Sequence, residues 1–167
     1  MSNRFPNNEQ NPIVSILNSS PHAKAIVSGS PVQPQISGVV RFYQTNLGVL
    51  VFAEITGLPT STTPCDSPIF AFHIHKGSSC TGTADDPFAD TLTHYNPQNC
   101  AHPYHAGDLP PLFGNQGIAL SIFLTDRFNV GEIIDKTVVI HDRLDDFTTQ
   151  PSGNLGTKIA CGEIKRM

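Results

Sequence analysis

Six histidines crowd into the middle of this chain, between His73 and His141, and their spacing is that of metal ligands. His73 and His75 stand in the run IFAFHIH (69–75). If that run is a strand, an i,i+2 pair projects from one face, with Cα atoms about 6.6 Å apart. Two imidazoles so placed can converge on one metal at about 2.0–2.1 Å per bond. Phe70, Phe72 and Ile74 occupy the opposite face and point to a core, so the pair projects outward under whatever loop covers it. One H-x-H alone is a weak signal. It gains weight from His94 in THYNP and from His102, His105 and Asp108 in HPYHAGD, where two imidazoles and a carboxylate come from one short loop. Such a trio suits zinc. His141 ends the run TVVIH and can face His73 and His75 across a sheet. Imidazole-only ligation suits copper as well as zinc. Seven candidate ligands are too many for one ion and suit two adjacent sites, with or without a shared histidine. His22 stands apart and reads as a surface residue.

The elements that must position these groups read as short strands between turn signals. Runs 23–29, 36–44, 48–56, 69–75, 118–125, 137–141 and 158–164 carry β-type residues, and Thr45-Asn46-Leu47-Gly48 reads as a hairpin turn. Seven or eight short strands with Gly/Pro turns predict an all-β sandwich or barrel. Residues 76–107 show no periodicity and form a long connection holding most of the polar chemistry; loops of that length are commonly functional. Pro is 14 of 167 residues, about 8% against a usual 5%, and no Pro-free stretch reads as a long amphipathic helix. Residues 1–20 read as a polar, poorly ordered tail, and 21–167 as one domain.

Composition narrows the function. Net charge is −4, with charged residues at 14%; this offers no footprint for nucleic acid or an anionic membrane. No apolar run reaches the length of a secretory signal or a membrane span, so the expectation is a cytoplasmic protein, with secretion or surface association left open. A serine hydrolase lacks its G-x-S-x-G elbow, and H-E-x-x-H is absent. A cupin would place a Glu soon after H-x-H, where this chain has Lys76-Gly77-Ser78-Ser79-Cys80. The four cysteines, Cys65, Cys80, Cys100 and Cys161, contain no C-x-x-C and allow three pairings if all are bonded; free thiols are the ordinary state in a reducing cytosol.

The ordered motifs FHIH (72–75), THYNP (93–97), H-x2-H-x2-D (102–108), VVIHDRLDD (138–146) and GNLGTKIACG (153–162) resemble the copper–zinc superoxide dismutase family over roughly residues 22–164. GVVRFYQ (38–44) and GVLVFAEITGLP (48–59) fit its early hairpin, and GSSCTGTADDPF and HAGDLPPL are similar to its bacterial branch. The resemblance implies an eight-stranded Greek-key β-barrel with long metal-binding and active-site loops. It implies copper held by His73, His75, His94 and His141, and zinc held by His94, His102, His105 and Asp108. His94 would bridge the two ions, release copper on reduction and carry one proton. Asp145 would link His73 and His102 from behind, and Cys80 would pair with Cys161. The implied activity converts superoxide to O2 and hydrogen peroxide. A non-enzymatic copper/zinc-binding domain of the same fold is the alternative. Family members occur as dimers and monomers, so a homodimer is compatible with the resemblance.

Three departures matter. Lys158 stands where the family places an Arg beside the copper. A flexible point charge replaces a planar fork of donors, which predicts retained but weaker activity. The loop before it, FTTQPSGNLGT (147–157), is uncharged, so it lacks the residues that steer superoxide in familiar members. Ala71 replaces the Gly usual before FHxH. Cys65 and Cys100 have no counterpart in the pattern, and a second disulfide between them is expected.

Overall fold

The computed structural model describes residues 12–63 and 68–167. Strands β1 (Ala23–Gly29), β2 (Ser37–Thr45) and β3 (Gly48–Thr56) form an antiparallel meander. The β2–β3 turn pairs Thr45 with Gly48, whose φ of 122° is open to glycine. The expected strand 69–75 is interrupted at Ala71, giving β4 (Ile69–Phe70) and β5 (Phe72–His75). The break has a cause in hydrogen bonding. Ala71 N–H donates to Arg143 O, and Ala71 O accepts from His141 N–H, so at this residue the chain pairs with the segment beyond the next sheet strand.

Strands β6 (Leu112–Phe113), β7 (Ala119–Thr125), β8 (Thr137–His141) and β9 (Lys158–Arg166) complete the set. Seven strands form one sheet in the order β5-β8-β9-β1-β2-β3-β7, and β4 pairs with β6. β9 returns beside β1 and β7 beside β3 across long connections, which is Greek-key topology. β4 continues the β5 edge, and β6 runs through the Asn115–Ile118 turn into β7 on the other edge. The β4–β6 pair thus joins the two edges and curls the sheet into a barrel, as expected. Its interior holds Phe42, Val51, Ile55, Phe72, Ile140 and Ile164, among others. Each such side chain contributes about 1.5–3 kcal/mol on burial.

Periodicity did not reveal the shortest elements. β6 has two residues, too few to alternate. The helix α2 (Val130–Ile133) carries a capping box, with Asn129 Oδ1 accepting from Glu132 N–H and Glu132 accepting from Asn129 N–H. That N-x-x-E signal was readable in the sequence. Within the expected tail, Pro12–Leu17 form a short helix, α1, with no buried side chain; Pro12 opens it where a missing N–H costs nothing.

A second, smaller apolar cluster lies outside the barrel. Val139 of β8 and Cys161 of β9 face outward there, under Phe88 and Cys80 of the 76–111 connection. Cys80 and Cys161 are disulfide-bonded, as expected. This outer cluster pins the long connection over the same sheet face that carries His73 and His75.

Candidate metal centre

In β5, alternation sends Phe72 and Ile74 into the barrel and His73 and His75 outward, yet all four are buried. The long connection roofs the histidines. His75 forms an isolated bridge with His94, and His73 with Asp108. His141 comes from the end of β8, beside the break at Ala71. The residues singled out from the sequence meet in two groups: His73, His75, His94 and His141 in one, His94, His102, His105 and Asp108 in the other. Within each group the ligating atoms lie within 4.8 Å of one another, and every member is buried. His94 belongs to both. His22 is exposed and belongs to neither group, its Nδ1 accepting from Gln44 N–H at 3.1 Å.

Hydrogen bonds set which ring nitrogens are free. His73 Nε2 donates to Asp145 Oδ2 at 2.8 Å, and His102 Nε2 donates to Asp145 Oδ1 at 2.8 Å. His75 Nδ1 donates to Leu92 O at 3.0 Å. Each donor nitrogen fixes a tautomer and leaves a lone pair on the other nitrogen of the ring. Among the described residues, His73 Nδ1, His94 Nε2 and His102 Nδ1 are buried without a hydrogen-bond partner. His102 Nδ1 lies 3.1 Å from Asp108 Oδ2, out of line for a hydrogen bond. His75 Nε2 approaches His141 Nε2 at 3.4 Å, and His94 Nδ1 approaches His105 Nδ1 at 3.3 Å. Buried polar atoms left unpaired are costly, and converging ring nitrogens are what a cation would hold together. The donor set therefore fits copper in the all-imidazole group and zinc in the group with a carboxylate.

The electrostatics suit cation binding. Burial pulls the His73 pKa down to about 4, against the opposing hydrogen bond to Asp145. Burial holds His75 and His141 well below the usual imidazole range, helped by the neighbouring rings, and it lowers His105 too. Burial alone would raise Asp108 and Asp145. The hydrogen bond from His94 to Asp108 and that from His73 to Asp145 outweigh it, keeping both carboxyls ionised below their ordinary value. Neutral imidazoles beside ionised carboxylates are the protonation state a metal requires.

Several supporting residues escaped the sequence reading. Gly153, at φ 88°, lies so close that an added Cβ would sit 2.1 Å from Asp145 Oδ1 and 2.9 Å from His102 Nε2. Gln150 clasps the His102 backbone, accepting from its N–H at 3.1 Å and donating to its carbonyl at 2.7 Å. Arg127 Nη1 reaches the carbonyls of Pro103, His105 and Asp108 at 3.1–3.3 Å, tying this ligand loop to the chain after β7. No local spacing announces these contacts. The expected Cys65–Cys100 pairing lies outside the described residues, because Cys65 does.

Above the all-imidazole group opens a cleft of about 350 Å³, lined by His75, His94, His141 and Lys158 among others. Lys158 reaches it through a bulge. β8 and β9 pair Ile140 with Ala160 and then His141 with Lys158, skipping Ile159. Both Ile159 and Ala160 turn into the core, and the extra residue re-aims Lys158 outward beside His141.

A Greek-key barrel carrying two histidine groups that share one imidazole outside the sheet defines a two-metal β-barrel protein. Residues 36–164 match the copper/zinc superoxide dismutase (SODC) family, and the chain belongs to it. It is 35% identical over 141 residues to the superoxide dismutase [Cu-Zn] of Legionella pneumophila, covering 80% of each chain. It is 31% identical over 159 residues to superoxide dismutase [Cu-Zn] A of Xenopus laevis, covering 85% of this chain and 95% of that one. The fold is also that of the Cu/Zn superoxide dismutase from Brucella abortus, with a TM-score of 0.70 at 23% identity, over 84% of this chain and 98% of that one.

Proposed function

We propose that this protein disproportionates superoxide to O2 and hydrogen peroxide, with copper held by His73, His75, His94 and His141, and zinc by His94, His102, His105 and Asp108. The observation that carries this reading is that His94 belongs to both ligand groups. Bound copper supplies one-electron redox chemistry, whereas zinc is redox-inert. The chain does the rest. Asp145 holds His73 and His102 in fixed tautomers at once, so the two groups are oriented by one carboxylate. His94 presents Nδ1 to Asp108 at 2.8 Å, and its Nε2 has no hydrogen-bond partner among the described residues, which supports its holding and passing one proton. The 76–111 connection roofs the ligands, and the cleft beside it leaves an opening where a small anion fits between His141 and Lys158.

The test is superoxide consumption by the full chain reconstituted with copper and zinc, beside His75→Ala. The expected result is a rate far above that of the same amount of free copper, lost in the variant. A rate no higher than free copper, or one unchanged in His75→Ala, overturns the proposal.

A further inference from the structure

Lys158 is the only Lys or Arg among the described residues lining the cleft, yet its charge is not free. Its Nζ donates to Asp86 Oδ2 at 2.7 Å and to Phe88 O at 3.0 Å. Asp86 is itself held in place. Its Oδ1 accepts from Phe88 N–H at 3.1 Å, its own N–H donates to Thr83 Oγ1 at 3.1 Å, and its carbonyl accepts from Thr83 and Ala89 N–H. The pair is also braced covalently. Asp86 lies six residues past Cys80, Lys158 three before Cys161, and the two cysteines are bonded. No acidic side chain lines the cleft itself among the described residues, and the 147–157 loop adds no charge.

We propose that Asp86 is a positioning residue that sets how strongly the cleft draws small anions, by tethering Lys158 and cancelling most of its charge. The proposal rests on the superoxide dismutase reading and deepens it, since the anion concerned is the substrate. A cation paired at 2.7 Å presents a dipole, and a dipole's potential falls off faster with distance than that of a bare charge. The Asp86 carboxylate is 45% exposed, so solvent screening moderates its effect without abolishing it. Removing its charge while keeping its shape leaves Lys158 beside the Phe88 carbonyl with its field uncancelled. An anion in the cleft then gains about two- to five-fold in affinity at low salt.

The experiment uses the copper- and zinc-loaded full chain and azide as a small monoanion, with optical titration of the copper band. Asp86→Asn retains an acceptor for Phe88 N–H, and Asp85→Asn removes the same charge from the exposed neighbouring residue. Expected are azide binding about two- to five-fold tighter in Asp86→Asn at low ionic strength, with a steeper salt dependence. Less than half that gain is expected in Asp85→Asn, and weaker binding in Lys158→Met. Superoxide consumption should show the same order and the same salt slopes. Unchanged or weaker azide binding in Asp86→Asn overturns the proposal, as does an equal gain in Asp85→Asn. Loss of copper or of the folded spectrum in Asp86→Asn also overturns it, because Asp86 would then serve only the fold of its loop. If the loaded wild type fails to consume superoxide, the catalytic reading fails, while the azide titration still judges Asp86.

Discussion

Asp145 Oδ2 accepts a hydrogen bond from His73 Nε2 at 2.8 Å, across 72 residues of chain. Its other oxygen does the same for His102. One buried carboxylate therefore orients a ligand of each group. Asp145→Asn cannot accept from both rings, since its amide nitrogen only donates. The expected outcome is loss of affinity for copper and zinc together, each by about 10–100-fold. Competition titrations with a chelator for each metal measure it, and a loss confined to one metal would show that the carboxylate does not couple them.

Gly153 gives a sharper local test. A methyl group there would occupy the space of Asp145 Oδ1 and His102 Nε2, on a backbone whose φ of 88° already disfavours side chains. Gly153→Ala is expected to weaken zinc retention at least about ten-fold and to lower stability by about 1–3 kcal/mol. Zinc content after dialysis and a denaturant midpoint check the two effects. The conservative change Ser152→Ala, one residue away, should leave zinc content as it is.

Burial of neutral histidines predicts a direction for pH. An unfolded histidine takes up its proton near 6.5, but His73 in the fold does so only near about 4. Between those values the unfolded chain holds more protons, so the metal-free protein loses stability as pH falls through that window. His73 alone accounts for about 3 kcal/mol, and the depressed His75 and His141 act in the same direction. Urea unfolding of the metal-free chain at pH 7 and at pH 4.5 measures this. Equal stability at the two values would mean that the rings are not held neutral by burial.

The disulfide closes a separation of 81 residues between the long connection and β9. Chain-entropy reasoning gives it about 4–5 kcal/mol of stabilisation. The paired substitution Cys80→Ser with Cys161→Ser is expected to lose a large part of that. Because Cys80 tethers the loop that carries Asp86, it should also alter azide binding. Equilibrium unfolding with and without reductant checks the first point.

The strands were legible because alternation is local. Val49, Val51, Ala53 and Ile55 share a face by period alone, and all four are buried in the core. The ligands were legible for the same reason: i,i+2 on β5 puts His73 and His75 side by side, and the 102–108 loop keeps three donors within one short span. The β4–β6 pair was not legible, since two-residue strands carry no period. Nor was the break at Ala71, which depends on the backbone of Arg143 and His141.

By itself, then, the amino-acid order determined an all-β sandwich or barrel, the donor types, the His73/His75 pair and the 102–108 trio, because these follow from side-chain chemistry and short-range geometry; the barrel itself and the full ligand groups, with His94 in both, came only from the family resemblance. How those groups are held is set by the tertiary structure, and the Asp145 link to His73 and His102 was expected only through the family resemblance. Asp145 reaches two histidines through register and chain crossing, Gly153 matters only because a carboxylate packs against it, and a single skipped residue at Ile159 turns Lys158 toward the cleft. The partner waiting there, Asp86, is 72 residues away in sequence. No local pattern encodes such a pairing; the fold brings it about by laying one tethered loop over one bulged strand.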